Sequence, residues 1–214
     1  MILKKVGVNT SLGIHTNCYI ILDEETKETI VVDPGGEVEK IAEMIDILDG
    51  NLKYIYLTHC HGDHIGGVSK LKEQKGGKVL IHRLDAEGLS NPQINCSILA
   101  ENDIKLEADS RVEDKDILHL GNLEIHIIHT PGHTKGGSSL YIPKENMLIS
   151  GDTLFKGTWG RTDLLTGSFE EIISSITNKL MKLPDDTIVY PGHGEITRIY
   201  EEKPIYLELK PGLD

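Results

Sequence analysis

The segment His59-Cys60-His61-Gly62-Asp63-His64 places four potential metal ligands within six residues. Imidazole and carboxylate groups suit zinc, iron or manganese. In a regular strand or helix these side chains would point in several directions. On a tight loop containing Gly62 they can converge on one place. Taken alone, a histidine-rich hexapeptide could be a solvated loop, but three later residues argue against that. His133 lies in TPGH and His193 in YPGH, so the same punctuation appears twice. Asp152 lies in SGD. Such a set of histidines and aspartates can hold metal and activate water, with no serine or cysteine nucleophile required.

Each of these groups follows an apolar run that reads as a strand. YIYL (54–57) precedes the hexapeptide, LEIHII precedes His133, MLIS precedes Asp152 and TIVY precedes His193. A rigid sheet can then aim loops at one point. Residues 16–22 and 28–33 read as two further strands joined by the polar turn DEETKE, and KVLIH as another. A helix is expected over 37–49, with Val38, Ile41, Ala42, Ile45 and Leu48 on one face and Gly50 as a stop. Residues 65–75 suggest a second helix ending at Gly76-Gly77. Phe169, Ile172, Ile173, Ile176 and Leu180 mark a third. Residues 83–122 carry the weakest pattern. The coarse result is mixed strand and helix around one or two sheets.

The length, 214 residues, fits a single domain over 1–214. The net charge of -12 argues against nucleic acid and against an anionic membrane surface as partners. It does not argue against a small anionic substrate, because bound metals can reverse the charge locally. No apolar run has the length of a signal peptide or a membrane span. Cys18, Cys60 and Cys96 are scattered and odd in number, so no disulfide framework is expected. A cytoplasmic, reducing location is the simple expectation.

The pattern HxHxDH, followed by His, Asp and His in that order, resembles the metallo-β-lactamase superfamily, over nearly the whole chain from about TNCYII to PGHGEITR. The resemblance implies an α/β fold, a four-layer αββα sandwich of two mixed sheets with metals at one edge. It implies two divalent ions, zinc first, with iron or manganese as alternatives. By position, His59, His61 and His133 would hold the first ion. Asp63, His64 and His193 would hold the second, with Asp152 bridging. Within the superfamily the chain is most similar to compact glyoxalase II-like hydrolases. Asp152 stands where the commonest subclass of secreted zinc β-lactamases has cysteine, and His61 where flavodiiron proteins have glutamate. GDTLFKGTWGRTDL resembles the glyoxalase II and persulfide dioxygenase branch.

That resemblance implies hydrolysis of a small thioester such as S-lactoylglutathione. A bridging hydroxide would attack the metal-polarised carbonyl, and Asp63 would orient it and accept its proton. A thiolate, whose conjugate acid has a pKa of about 8.5, needs no strong general acid to leave. A mononuclear-iron persulfide dioxygenase, using His59, His133 and Asp152, is the alternative, as is a lactone or phosphodiester hydrolase. In glyoxalase II a lysine and a tyrosine two apart bind glutathione; here Arg161 and Asp163 stand at those positions. Arg161 could grip a substrate carboxylate with two hydrogen bonds, or Asp163 could pair with Arg161 and only shape the loop. The added helical domain of glyoxalase II, with its further glutathione contacts, is not expected beyond His193.

The remaining residues divide into near and remote. Asp33, in VVDPGG, could orient a ligand histidine or simply form a turn. Cys60 reads as a bystander among the ligands. Lys135 could touch an anion. Phe155 and Trp159 could line a pocket or pack in the core. His126 and His129 read as surface or packing residues, and His15, His82 and His119 have no partner visible in the sequence.

Overall fold

The computed structural model describes residues 1–99 and 103–208. The first half of the chain forms one six-stranded sheet in sequence order: β1 (Ile2–Asn9), β2 (His15–Leu22), β3 (Glu28–Val32), β4 (Asn51–Leu57), β5 (Lys78–His82) and β6 (Ser110–Val112). The pairs β1–β2 and β2–β3 are antiparallel, and β3 through β6 run parallel. Parallel neighbours need crossovers. Helix α1 (Val38–Ile47) supplies the one between β3 and β4. A single turn α2 (Gly62–Ile65) and helix α3 (Val68–Lys75) supply the one between β4 and β5.

The second half repeats the design. Strands β7 (Ile117–Leu120), β8 (Leu123–His129), β9 (Ser138–Ile142), β10 (Met147–Gly151), β13 (Ile188–Pro191) and β14 (Thr197–Arg198) form a sheet in the order β14-β13-β10-β9-β8-β7. Here only β10 and β13 are parallel. A small hairpin, β11 (Leu154–Phe155) and β12 (Thr158–Trp159), and helix α4 (Phe169–Asn178) fill the crossover between them. Helix α5 (Ile199–Glu208) follows β14. No helix of the described residues is long and apolar enough to cross a membrane.

Period-two alternation explains the layering. In β2, Cys18 and Ile20 face α1 and α3, and Tyr19 and Ile21 face the other sheet. In β4, Ile55 and Leu57 face the helices, and Tyr56 faces inward. Across the gap, Leu140, Ile142, Met147 and Ile149 meet that inner face. On the far side Leu148 and Val189 pack against Ile172, Ile173 and Ile176 of α4 and Tyr206 of α5. Three apolar layers between four structural layers give the expected αββα sandwich of two mixed sheets.

Several local expectations need correction. The helix expected over 65–75 is broken at Gly66-Gly67 and begins at Val68. The break lets the chain lie directly on the Pro34-Gly35 turn. A Cβ on Gly66 would sit 2.6 Å from the Gly35 carbonyl oxygen, and one on Gly67 2.5 Å from that of Pro34. Helix α1 ends at Ile47, before Leu48, and Leu180 lies in a 3-10 turn beyond α4. Strands β1 and β9 and helix α5 carried no clear sequence pattern.

This contact generates a test. Gly67→Ala places its methyl against the Pro34 carbonyl and 2.8 Å from the Val38 side chain. Overpacking at a backbone contact typically costs about 1–3 kcal/mol. We expect a lowered urea midpoint with an unchanged slope; an unchanged midpoint would show that the contact relaxes freely.

Candidate metal centre

The ligand groups leave the sheets at one edge. The hexapeptide follows β4, Asp33 follows β3, His133 follows β8, Asp152 follows β10 and His193 follows β13. Their loops are fixed by side chains from elsewhere. Tyr19 Oη and Asn17 Nδ2 donate to the Pro191 carbonyl at 2.7 and 2.9 Å, holding the YPGH turn to the first sheet. Ser175 Oγ donates to the Pro131 carbonyl at 2.8 Å, holding the TPGH turn to α4. The Ser168 backbone N–H donates to the Gly132 carbonyl at 2.8 Å, where α4 begins. The Ser168 side chain caps α4 by accepting from the Glu171 N–H.

All seven residues singled out in the sequence come together. Their ligand atoms group as His59, His61 and His133; as His59, His64 and Asp152; and as Asp63, His64 and His193. Within each group the atoms lie within 4.8 Å of one another. His61 Nδ1 is 2.9 Å from His133 Nε2, and His64 Nε2 is 3.2 Å from His193 Nε2. The opposite ring nitrogens of three histidines are tied down. His64 Nδ1 donates to Asp33 Oδ2 at 2.9 Å, His133 Nδ1 to the Arg161 carbonyl at 2.7 Å, and His193 Nδ1 to the His15 carbonyl at 2.8 Å. This fixes each ring's orientation and points its Nε2 toward the cluster.

The arrangement fits a pair of metal ions. His59 Nε2 and Asp152 Oδ1 are buried and make no hydrogen bond among the described residues. Buried polar groups are rarely left without partners, so both atoms call for a cation. Gly192 contributes space, because a Cβ there would lie 2.2 Å from Asp152 Oδ1 and 2.7 Å from His64 Cε1. The donors are nitrogen and carboxylate oxygen, which suit zinc, iron or manganese.

Electrostatics divides the histidines. Burial, and then the neighbouring imidazoles, push His59 well below its ordinary pKa and His61 down to about 3. Both are neutral and ready to ligate. For His64 and His193 burial also pulls downward, but the carboxylates outweigh it. Asp152, Asp63 and Asp33 hold His64 well above its usual range, and hydrogen bonds to Asp152 and Asp63 lift His193 to about 10. The same pairs, against the upward pull of burial, lower Asp63 and place Asp152 well below the usual carboxylate range. In the metal-free protein, protons on His64 and His193 therefore stand in for cationic charge.

The other candidates fall into place. Asp33 serves as both turn and positioning group. Its φ of 55° makes the turn. Its carboxylate accepts from the Thr58 N–H at 2.8 Å and from Thr58 Oγ1 at 2.7 Å besides holding His64. Cys60 is buried in the core between the first sheet and its helices, away from the ligands. Arg161 lines the cavity above the ligands, whereas Asp163 does not; Asp163 occupies the guanidinium fork, accepting from Nε at 2.7 Å and Nη2 at 2.8 Å. Phe155 lines the same cavity, and Trp159 packs on Phe169 and Tyr206. Lys135 is 3.5 Å from Glu87 and does not reach the wall. His82 and His129 stack on each other at 4.1 Å, outside the centre.

One positioning residue escaped the sequence reading. Asp85 is buried and accepts from the Cys60 N–H at 3.0 Å, Thr134 Oγ1 at 2.7 Å and the Gly136 N–H at 2.7 Å. It staples the hexapeptide loop to the His133 loop. The available signal was positional: Asp85 follows β5 much as Asp33 follows β3.

A family model described as the metallo-beta-lactamase superfamily matches residues 13–193. Hydroxyacylglutathione hydrolase GloC of Haemophilus influenzae is 37% identical over 198 residues, covering 87% of this chain and 89% of its own. Among solved structures, the BLEG-1 B3 metallo-beta-lactamase superposes with a TM-score of 0.89 at 33% identity, covering 98% of this chain and 100% of its own. TTHA1623 in a di-iron-bound form superposes with a TM-score of 0.79 at 29% identity, covering 95% of this chain and 97% of its own.

Two outcomes follow from the geometry. Metal uptake at pH 7 must displace protons from the His64 and His193 side of the cluster. Titration calorimetry in buffers of different ionisation enthalpy should read proton release, and affinity should climb with pH; a buffer-independent heat would contradict this charge distribution. Asp33→Asn, which weakens the hold on His64, should lower metal affinity by about 10–100-fold in chelator competition while the chain stays folded.

Proposed function

This chain belongs to the metallo-beta-lactamase superfamily, and from that membership as a metal-dependent hydrolase we propose that it cleaves a small acyl thioester at a centre of two divalent ions. The observation that carries the reading is the convergence of the ligand groups on the floor of one open cavity. His61, Asp63, His133, Asp152 and His193 form that floor, and the cavity volume is about 480 Å³. His59, His61 and His133 would hold one ion, Asp63, His64 and His193 the other, and Asp152 would lie between them. Bound there, the ions supply carbonyl polarisation and water whose pKa is lowered to about 7.

The residues of the chain account for the rest. Asp63 Oδ2 lies 3.3 Å from His193 Nε2 and 3.6 Å from His64 Nε2, at the cavity floor. It is placed to orient attacking water and to take its proton. Cys96 also lines the cavity, but burial and then the charge of Asp63 raise its pKa, so the thiol stays protonated and is a poor nucleophile. Water is therefore the nucleophile this site favours. Among the described residues no protein acid stands ready for an amine leaving group, whereas a thiolate departs unaided at a conjugate-acid pKa of about 8.5. The likeness to a hydroxyacylglutathione hydrolase supports a thioester as the substrate class. Arg161 gives the cavity a cation for a substrate carboxylate once Asp163 yields the fork. An exposed ion pair contributes little to stability, so the exchange costs little.

Elemental mass spectrometry on freshly purified protein should find about two ions per chain, with zinc expected ahead of iron or manganese. The loaded protein should hydrolyse S-lactoylglutathione, and chelation should abolish the activity. His133→Ala should lower turnover by about 100-fold or more. A single iron per chain with oxygen consumption on a persulfide, or faster cleavage of a β-lactam than of any thioester, would overturn the reading.

A further inference from the structure

The cavity has two unlike parts. Its floor is the metal centre, and its wall is Leu12, Ile14, Leu99, Phe155 and Leu164 with Cys96 and Arg161. Among the described residues, Arg161 is the one charged side chain on that wall, and Asp163 already fills its fork. Ile14 is 42% and Leu99 80% exposed, so apolar surface faces solvent beside the reaction centre. A scattered exposed leucine means little, whereas several apolar side chains around one concave site mark what the site takes in.

The wall is also built rather than loose. Leu12 and Ile14 sit on the β1–β2 turn, where the Thr10 N–H donates to the Ile14 carbonyl and the Gly13 N–H to the Thr10 carbonyl, each at 3.0 Å. Thr10 Oγ1 adds a second bond to the Ile14 carbonyl. On the other side, buried Asn95 fixes the segment bearing Cys96 and Leu99. Its Nδ2 donates to the Gly88 and Ile104 carbonyls at 3.0 Å each, and its backbone carbonyl accepts from the Gly62 N–H at 2.7 Å. The segment is thereby joined to the ligand loop itself. Phe155 stands against His193, with ring centroids 6.0 Å apart.

We propose that this wall is a binding subsite for a straight apolar chain of about four to eight carbons carried by the thioester, an inference that rests on the hydrolase reading above. A peptide-like thiol body would lose water from its amides against this wall, with Arg161 as the one charged side chain there among the described residues. The one thiol on the wall, Cys96, is directed to the Ile94 carbonyl. An alkyl chain loses nothing there and gains from each methylene covered. A cavity of about 480 Å³ is large enough for the acyl group and its chain together.

The test uses the metal-loaded protein and straight-chain acyl thioesters of N-acetylcysteamine, from acetyl to octanoyl. The value of kcat/KM should rise roughly two- to fourfold per added methylene over the middle of the series. Ile14→Ser and Leu99→Ser should flatten that rise while metal content stays at its native value. Calorimetric titration with straight-chain carboxylates, from acetate to octanoate, reads the wall without turnover, and Kd should fall by a similar factor per methylene. A flat series in both measurements overturns the subsite. Chain-dependent carboxylate binding with no thioester cleaved supports the subsite and overturns the thioesterase reading instead.

Discussion

Four imidazoles and two carboxylates are brought almost wholly out of water at a single point, with His193 a quarter exposed beside them, and that desolvation is the constraint to which the rest of the molecule answers. Polar groups taken from water without partners are costly, and charged ones more so. Without metal, Asp63 and Asp152 favour the protonated forms of His64 and His193, which offsets part of the cost. That solution is incomplete, because His59 Nε2 and Asp152 Oδ1 still lack partners among the described residues. Divalent metal would complete it. The donor atoms are therefore already gathered where divalent metal would bind.

Holding such a cluster requires loops that cannot relax away from it. The sandwich supplies them by ending β3, β4, β8, β10 and β13 at a common edge. Two buried carboxylates then act as staples of the same kind. Asp33 joins the end of β4 to His64 through Thr58. Asp85 joins the hexapeptide to the His133 loop through Cys60, Thr134 and Gly136. A carboxylate can accept several hydrogen bonds at once, so one buried group fixes two or three backbone segments. Glycine pairs complete the design, since Gly66-Gly67 lets the ligand turn lie on the Pro34-Gly35 turn with no side chain between them.

This division explains what the sequence could and could not disclose. The residues that converge at the sheet edge were legible because metal chemistry demands particular residue types, and His, Asp and Gly stand out wherever they fall. The buried strands β2, β4 and β10 were legible as apolar runs, and β8 because Leu123, Ile125 and Ile127 alternate with Glu124 and His126. Strand β1 was not, because it is an edge strand with partly exposed faces and two lysines, Lys4 and Lys5. Strand β9 begins Ser138-Ser139, both buried and bonded to Tyr56 and Thr130, so its polar residues hide a core strand. The helix over 65–75 was misjudged because periodicity runs through a double glycine that tertiary contact uses as a break. Asp85 was missed for a plainer reason. An aspartate after a strand looks like any turn residue until the partners it gathers, 25 and about 50 positions away, are seen beside it.

The floor and the wall of the cavity are under different physical demands. Floor residues face one another at hydrogen-bonding distance, and His133 and His193 are also tied through their second ring nitrogens, so a change there disturbs several contacts at once. Wall residues such as Ile14 and Leu99 are partly exposed and contribute little to the core, so they can change at small cost to stability. Reactivity is thus placed where substitution is expensive and selectivity where it is cheap. The acidic surface sharpens the separation. A chain of net charge -12 gives an anion no long-range attraction, so among the described residues lining the cavity Arg161, once released by Asp163, and metal bound at the floor would favour negative charge. Recognition must then come mainly from short-range contact with the wall, where apolar surface dominates and each buried methylene counts.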